Sequence, residues 1–233
     1  MSNYVLLQHI LCLKVTGISG TAFSSNTSMK EQNKPAIVPE HHTGKPIDTE
    51  SSITLNTEEE ARHFFQTVKH RLQDVNCWHE IAGDLSAQFQ LIDSSGHEVN
   101  RSVQKDDYFR INIPGPGSKS GEGYDWVQVE EIEERAESTS ETFGIRVRPA
   151  QNPQNSNDDV AHFYSPESTS SFTVSRTGNV ITAGIYDRNT KPNKEPGSVI
   201  DKIRDAVVGF FGLMSFSKIQ WKALTKGLVK KDE

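Results

Sequence analysis

Cysteine is scarce. Only Cys12 and Cys77 occur in 233 residues, too few for the disulfide framework of a small secreted domain. No run of 18 or more apolar residues occurs, so the sequence offers no membrane-spanning helix. Positive charge is in deficit: 25 Lys and Arg against 31 Asp and Glu give a net charge of −6. Nucleic-acid binders usually carry a basic domain, and broad attachment to anionic bilayers uses Lys/Arg clusters, so no nucleic-acid partner is expected. Metal-ligand spacing is missing as well. His63 and His70 share a face of a predicted helix, with His79 nearby, but zinc-binding helices place two His at i and i+4. No metal and no cofactor are expected.

The stretch Gly115-Pro116-Gly117-Ser118-Lys119-Ser120-Gly121-Glu122-Gly123 lacks the order a phosphate loop needs. That pattern requires Gly directly before Lys and a helix directly after Ser or Thr. Here Ser118 precedes Lys119 and a strand pattern follows, so the stretch reads as a hairpin loop over the mouth of a sheet, with a lid as its functional reading. A catalytic nucleophile cannot be assigned. Cys77 stands two positions from His79, yet catalytic partners are normally distant in sequence. Asp125 and Glu130 read as acid–base candidates or as ordinary solvated carboxylates.

What is present points to one domain with an N-terminal extension. A chain of this length buries roughly 70% of its unfolded surface and needs no covalent staple. Val5 to Val15 form a broken apolar stretch without a basic start, so 1–22 is a poor signal peptide. The expected location is cytoplasmic, with secretion or a periplasmic location as the alternative. Met29 reads as the natural start, with 1–28 as an extension without function. Residues up to 50, with Pro35, Pro39, Gly44 and Pro46, read as a flexible leader. The folded domain is expected over 51–230.

Within it, Ser52–Leu55 is extended. Asn56 or Thr57 caps a helix, Glu58, Glu59 and Glu60 suit its N-terminal dipole, and Ala61, Phe64, Phe65, Val68 and Leu72 form one apolar face. Trp78–Ala82 forms a short turn of helix ending at Gly83. Alternating patterns then predict strands at 86–93, 108–113, 125–132, 142–148, 172–176 and 180–186. The last two form a hairpin about Thr177-Gly178-Asn179. A second amphipathic helix opens at Ser198 and runs to about Leu228, and Gly209 and Gly212 predict a kink near 212–216.

This fold class is α+β: a curved antiparallel sheet wrapped around a long C-terminal helix, with an N-terminal helix after the first strand. The order of elements over about 51–230 resembles the helix-grip fold of START-like, pollen-allergen-like and polyketide-cyclase-like proteins. The resemblance implies a cavity for an apolar small molecule between sheet and helix, and no residue role is carried over.

The candidate lining follows from the strand faces: Phe109, Ile111, Val127 and Val129, then Phe143, Ile145, Phe172 and Val174. The helix adds Phe210, Met214 and Trp221. The same residues would equally fill a solid core. The opposite face carries Tyr108, Arg110, Trp126, Arg146 and Arg148, with Glu130 among them. It reads as an Arg110–Glu130–Arg146 charge ladder or as a protein-binding face. The function expected is binding of a lipid- or polyketide-like molecule. The alternatives are a cyclase- or hydrolase-like enzyme using the same cavity, and a protein-interaction domain using the Tyr108/Trp126/Arg146 face. A weak contact of the Lys-rich helix end with anionic membranes is a further option.

Overall fold

The computed structural model describes residues 34–83, 87–113, 118–156, 158–193 and 206–232, with side chains from 206 to 211 and at 213 excepted. The readings of 1–28, of Cys12, of 115–117 and of a helix start at Ser198 lie outside the described residues.

Helix α1 (Glu58–Gln73) begins where Thr57 accepts a hydrogen bond from the Glu60 amide at 3.1 Å. Glu60 returns its carboxylate to the amide of Asn56, the residue before the cap, so one unpaired helix-start donor is satisfied and the incoming chain is tied to the first turn. Ala61, Phe65, Val68 and Leu72 form its buried face. A 3₁₀ turn (Val75–Cys77) leads into the short helix α2 (Trp78–Ala82).

Seven strands form one antiparallel sheet: β1 (Ile47–Thr54), β2 (Gln88–Ile92), β3 (Tyr108–Asn112), β4 (Asp125–Ala136), β5 (Ser140–Pro149), β6 (Thr169–Thr177) and β7 (Val180–Arg188). Their spatial order is β1-β7-β6-β5-β4-β3-β2, so α1 and α2 carry the chain from one sheet edge to the other. Gly178 takes φ +57° at the first position of the two-residue β6–β7 turn, a conformation open to glycine at no steric cost. A bulge at Glu130 shifts the register between Val129 and Glu131. It bends β4 and keeps Val127, Val129 and Ile132 on one face, since Ile132 then pairs with Ile145.

Helix α3 (Ala206–Leu228) packs against β1, β7 and α2. It runs unbroken through Gly209 and Gly212, where the sequence predicts a kink. A Cβ on Gly227 would collide with the Ile81 carbonyl, so glycine lets α3 lie directly on α2. Arg71 at the end of α1 donates to the Leu228 and Lys230 carbonyls at 3.0 and 2.6 Å and fixes the end of α3. The core between sheet and helices centres on Trp78. Its ring lies 4.7 Å from Phe172, 5.3 Å from Phe89 and 5.6 Å from Phe109. No described helix is long and apolar enough to cross a membrane.

The stretch up to residue 50 differs from its sequence reading in its described part. β1 starts at Ile47 rather than Ser52. Ile37 is buried against Gly144 of the outer sheet face, and its carbonyl accepts from Arg146 and Ser171. Residues 42 and 43 are held by the Asn189 side chain. Proline and polar composition marked this segment as leader, but Ile37 over Gly144 and hydrogen bonds from Arg146, Ser171 and Asn189 dock it.

Candidate functional site

A cavity of about 30 Å³ lies between the sheet and α3. Phe89, Phe109, Ile111, Val127 and Phe172 line it from the sheet, and Trp221 from the helix. Trp221 is the plug: its ring meets Phe172 edge-on at 5.3 Å and lies 6.4 Å from Phe89. The volume is close to that of one water molecule, whereas small-molecule sites run to roughly 300–1,000 Å³.

Of the expected lining residues, Phe109, Ile111, Val127, Phe172 and Trp221 border the cavity. Val129, Phe143, Ile145 and Val174 are buried in the same core but do not border it. Phe143 instead sits under Lys69 of α1, 5.4 Å from its ammonium. Met214 packs partly buried against the core, and the Phe210 side chain lies outside the described residues.

The wall also includes residues that periodicity did not single out. His162, Phe163 and Tyr164 follow one another in a loop and stack at 4.2 to 5.6 Å. Ser170, Ser217 and Gln220 complete a polar end. Three ring residues in a row within a polar stretch were the available signal.

Two buried acids lie behind this wall, bonded to residues that line the cavity rather than lining it themselves, and the register explains their place. Asp125 pairs with Ile111 and so shares its inward face. Asp187 pairs with Ser170, which pairs with inward Val147. Asp187 accepts from the Ser170 hydroxyl at 2.7 Å and from the Trp221 indole at 3.0 Å. Burial lifts its pKa to about 6, against the lowering effect of those two donors. Asp125 is pushed up to about 7 by burial, opposed by the Phe163 amide, and its Oδ1 has no hydrogen-bond partner. Burial holds His162 down at about 3, hence neutral. Its Nδ1 accepts from the Tyr164 amide at 2.9 Å, which puts the proton on Nε2. Tyr164 is raised by burial and then by the charge of Asp187, with the Ser217 hydroxyl acting the other way.

The outer sheet face departs from its sequence reading. Trp126 is fully buried, packed with Ile92 and Ala161, and its indole donates to the Gly121 carbonyl at 3.3 Å. Residues 118–124 therefore fold onto the outer face, with Ser118 and Ser120 buried and bonded to each other. This half of the glycine-rich loop is a cover for Trp126 and not a lid over the inner mouth. The ladder forms in part. Arg146 and Arg148 both pair with Glu130, and Arg146 also with Glu131. Arg110 turns instead to Glu98 at 2.7 Å and lies over the Tyr124 ring at 5.0 Å. Tyr108 is half-buried beside Trp126. An exposed Tyr108/Trp126/Arg146 patch does not exist. His63, His70 and His79 do not converge: among the described residues no group of three or more metal-binding side chains comes together. Cys77 is a free thiol raised to about 11, chiefly by its hydrogen bond with Asp74.

A second hollow opens at the β2 edge, with a volume of about 340 Å³. It is polar. Gln88, Phe89, Gln90, Arg110 and Asn112 line it from β2 and β3, Tyr124 from just before β4, Asn76 from the 3₁₀ turn and His79 from α2.

No protein-family profile matches the sequence, and no curated protein sequence matches it. Several solved structures are similar in backbone. The hypothetical protein jhp0584 of Helicobacter pylori is 13% identical with a TM-score of 0.44, over 79% of this chain and 88% of that one. Truncated norcoclaurine synthase from Thalictrum flavum is 7% identical with a TM-score of 0.36, over 83% and 100%. Ara h 8.0201 is 13% identical with a TM-score of 0.33, over 80% and 100%. Those scores are too low to bear an argument, so the fold assignment stands on the strand order and on the helix that the sheet holds.

Proposed function

We propose that the protein binds an apolar or amphipathic small molecule between the sheet and α3. The apolar body would lie against Phe89, Phe109 and Phe172, and the polar end at Tyr164, Ser217 and Gln220. One observation carries this reading: the aromatic core between sheet and helix ends in a cluster of buried polar groups bordering a cavity. Such a junction of an apolar wall with a few convergent polar groups is the usual make-up of a small-molecule site. At about 30 Å³ the cavity must widen to admit a ligand, and Trp221, held by Asp187, is the side chain that has to move.

Native mass spectrometry before and after organic extraction tests the reading, together with titration of dodecanol and of the dye ANS. Discrete mass loss, or saturable binding that changes in Trp221→Phe, supports it. No mass loss together with no saturable binding of either probe rejects it.

A second reading, proton-transfer catalysis, is favoured by Asp125, a buried acid bonded to the backbone of Phe163 in the cavity wall. A buried carboxyl raised to about 7 is tuned for acid–base work near neutrality. A bound compound that is turned over by the protein and left unchanged by Asp125→Asn would select this reading; binding without turnover selects the carrier.

A further inference from the structure

The hollow at the β2 edge shares only Phe89 with the inner cavity and is otherwise lined by different, mostly polar residues. Its volume of about 340 Å³ lies within the range of small-molecule sites. The strand register builds it. Gln88 pairs with Asn112 and Gln90 with Arg110, so two cross-strand pairs present their side chains on the outer face.

The carboxamides are only partly used by the protein. Asn112 donates to the Gln88 carbonyl oxygen at 3.4 Å, which leaves the Asn112 oxygen and the Gln88 amino group facing the hollow. Gln90 donates to the Leu91 carbonyl and keeps its own oxygen. The backbone adds a further pair. Leu91 turns its N–H to Asn76 and its carbonyl to Val99, away from β3. Phe89, two residues earlier, must turn its N–H and carbonyl the same way, and it borders the hollow. The lining groups that can carry charge are already engaged: Arg110 is bound to Glu98, with its guanidinium 5.0 Å from the centre of the Tyr124 ring, and His79 holds its Nδ1 at the Asn76 carbonyl and its Nε2 3.9 Å from Glu80.

We propose that this cleft is a binding site for a neutral, hydroxyl-rich small molecule of sugar size. A hydroxyl both donates and accepts, and so matches a wall in which amide donors and acceptors alternate. The Tyr124 ring, with Arg110 5.0 Å from its centre, gives a sugar ring an aromatic neighbour in the cleft. An anionic ligand would find the one lining Arg engaged with Glu98, and an apolar ligand would displace water from the amides without replacing its hydrogen bonds.

The full-length protein is titrated with D-glucose, cellobiose, N-acetylglucosamine and D-glucuronate, observed by NMR of the side-chain amides. The expected result is saturable shifts at Gln88, Gln90 and Asn112 with at least one neutral sugar. Gln90→Leu and Asn112→Leu should each weaken that binding about tenfold, the equivalent of roughly one hydrogen bond. Circular dichroism verifies that the variants fold, and Trp221→Phe should leave sugar binding unchanged. Three results overturn the proposal: no saturable shift with any neutral sugar, tighter binding of glucuronate than of glucose, or binding unaltered in both Leu variants.

Discussion

Among the described residues, two hollows lie on opposite faces of the same strands, β2 and β3, and differ in size. The inner one measures about 30 Å³ and the outer one about 340 Å³. Side-chain chemistry explains the difference. Phe89, Phe109, Phe172 and Trp221 gain dispersion contacts for every gap they close, and an apolar void offers water nothing. Gln88, Gln90 and Asn112 gain little by closing, since water satisfies their amides as well as a neighbour would. The apolar space is therefore largely filled by its own rings. A polar one stands open and waits.

The sharpest way to break this comparison is Trp221→Ala. It removes the plug of the inner cavity and leaves the Asp187 Oδ2 without its indole donor. Burial of this size predicts a loss of about 3–5 kcal/mol, read from the midpoint of urea unfolding at unchanged slope. ANS binding should rise in the folded protein. A loss below about 1 kcal/mol would mean that α3 is not seated through Trp221.

Asp125→Asn acts in the opposite direction and depends on pH. Unfolded aspartate titrates near 3.9, while the folded carboxyl is raised to about 7. Between these values the folded state holds the proton and the unfolded state does not, so wild-type stability falls as pH rises from about 4 to about 7. The neutral amide removes that loss. The variant should gain up to about 4 kcal/mol at pH 8 and almost nothing at pH 4, with less gain as water reaches the site. Parallel unfolding curves for variant and wild type across this range would show that Asp125 titrates normally. Asp187→Asn is the contrasting variant: its carboxyl is raised only to about 6, and an amide that keeps its oxygen on the Trp221 indole must turn its nitrogen to Ser170 and reverse that bond, so a smaller gain is expected than for Asp125→Asn.

Much of the frame that carries these groups was legible in the sequence. The Thr57 cap, the 3.6-residue face through Ala61, Phe65 and Val68, and the alternation of Phe109 and Ile111 each encode one element locally. The Gly178 turn does the same for the β6–β7 hairpin. The sites were less legible, since they arise where distant segments meet. Alternation puts Trp126 on the outer face correctly, but nothing local says that 118–124 and Ala161 will cover it. The polar cleft needs Gln88 beside Asn112, 24 residues apart, and neither is conspicuous alone. His162-Phe163-Tyr164 lie in a loop, where periodicity has no purchase. The bulge at Glu130 is likewise a local insertion that alternation cannot register.

That bulge supplies a smaller test. Glu130 meets both Arg146 and Arg148 on the outer face, and all three remain partly exposed. Glu130→Gln should cost about 1 kcal/mol or less, shrinking further as salt screens the pair in the wild type. A loss well beyond this would mean that the cluster, and with it the docking of Ile37 through Arg146, fixes the outer face more firmly than two exposed ion pairs can.

The smallest effect separates the two hollows most cleanly. Gln90→Leu alters a half-buried residue of the cleft whose structural bond is one amide contact to the adjacent Leu91 carbonyl. Away from packing and networks such a change stays within about 0.5 kcal/mol, so the thermal midpoint should barely move, against the large fall expected for Trp221→Ala. A residue that contributes almost nothing to folding and yet alters ligand binding is the mark of a surface kept for binding. If Gln90→Leu instead destabilises the protein by 1 kcal/mol or more, its amide belongs to the fastening of the β2 edge. The cleft would then be open because the strand has to be held there, with no ligand needed to account for it.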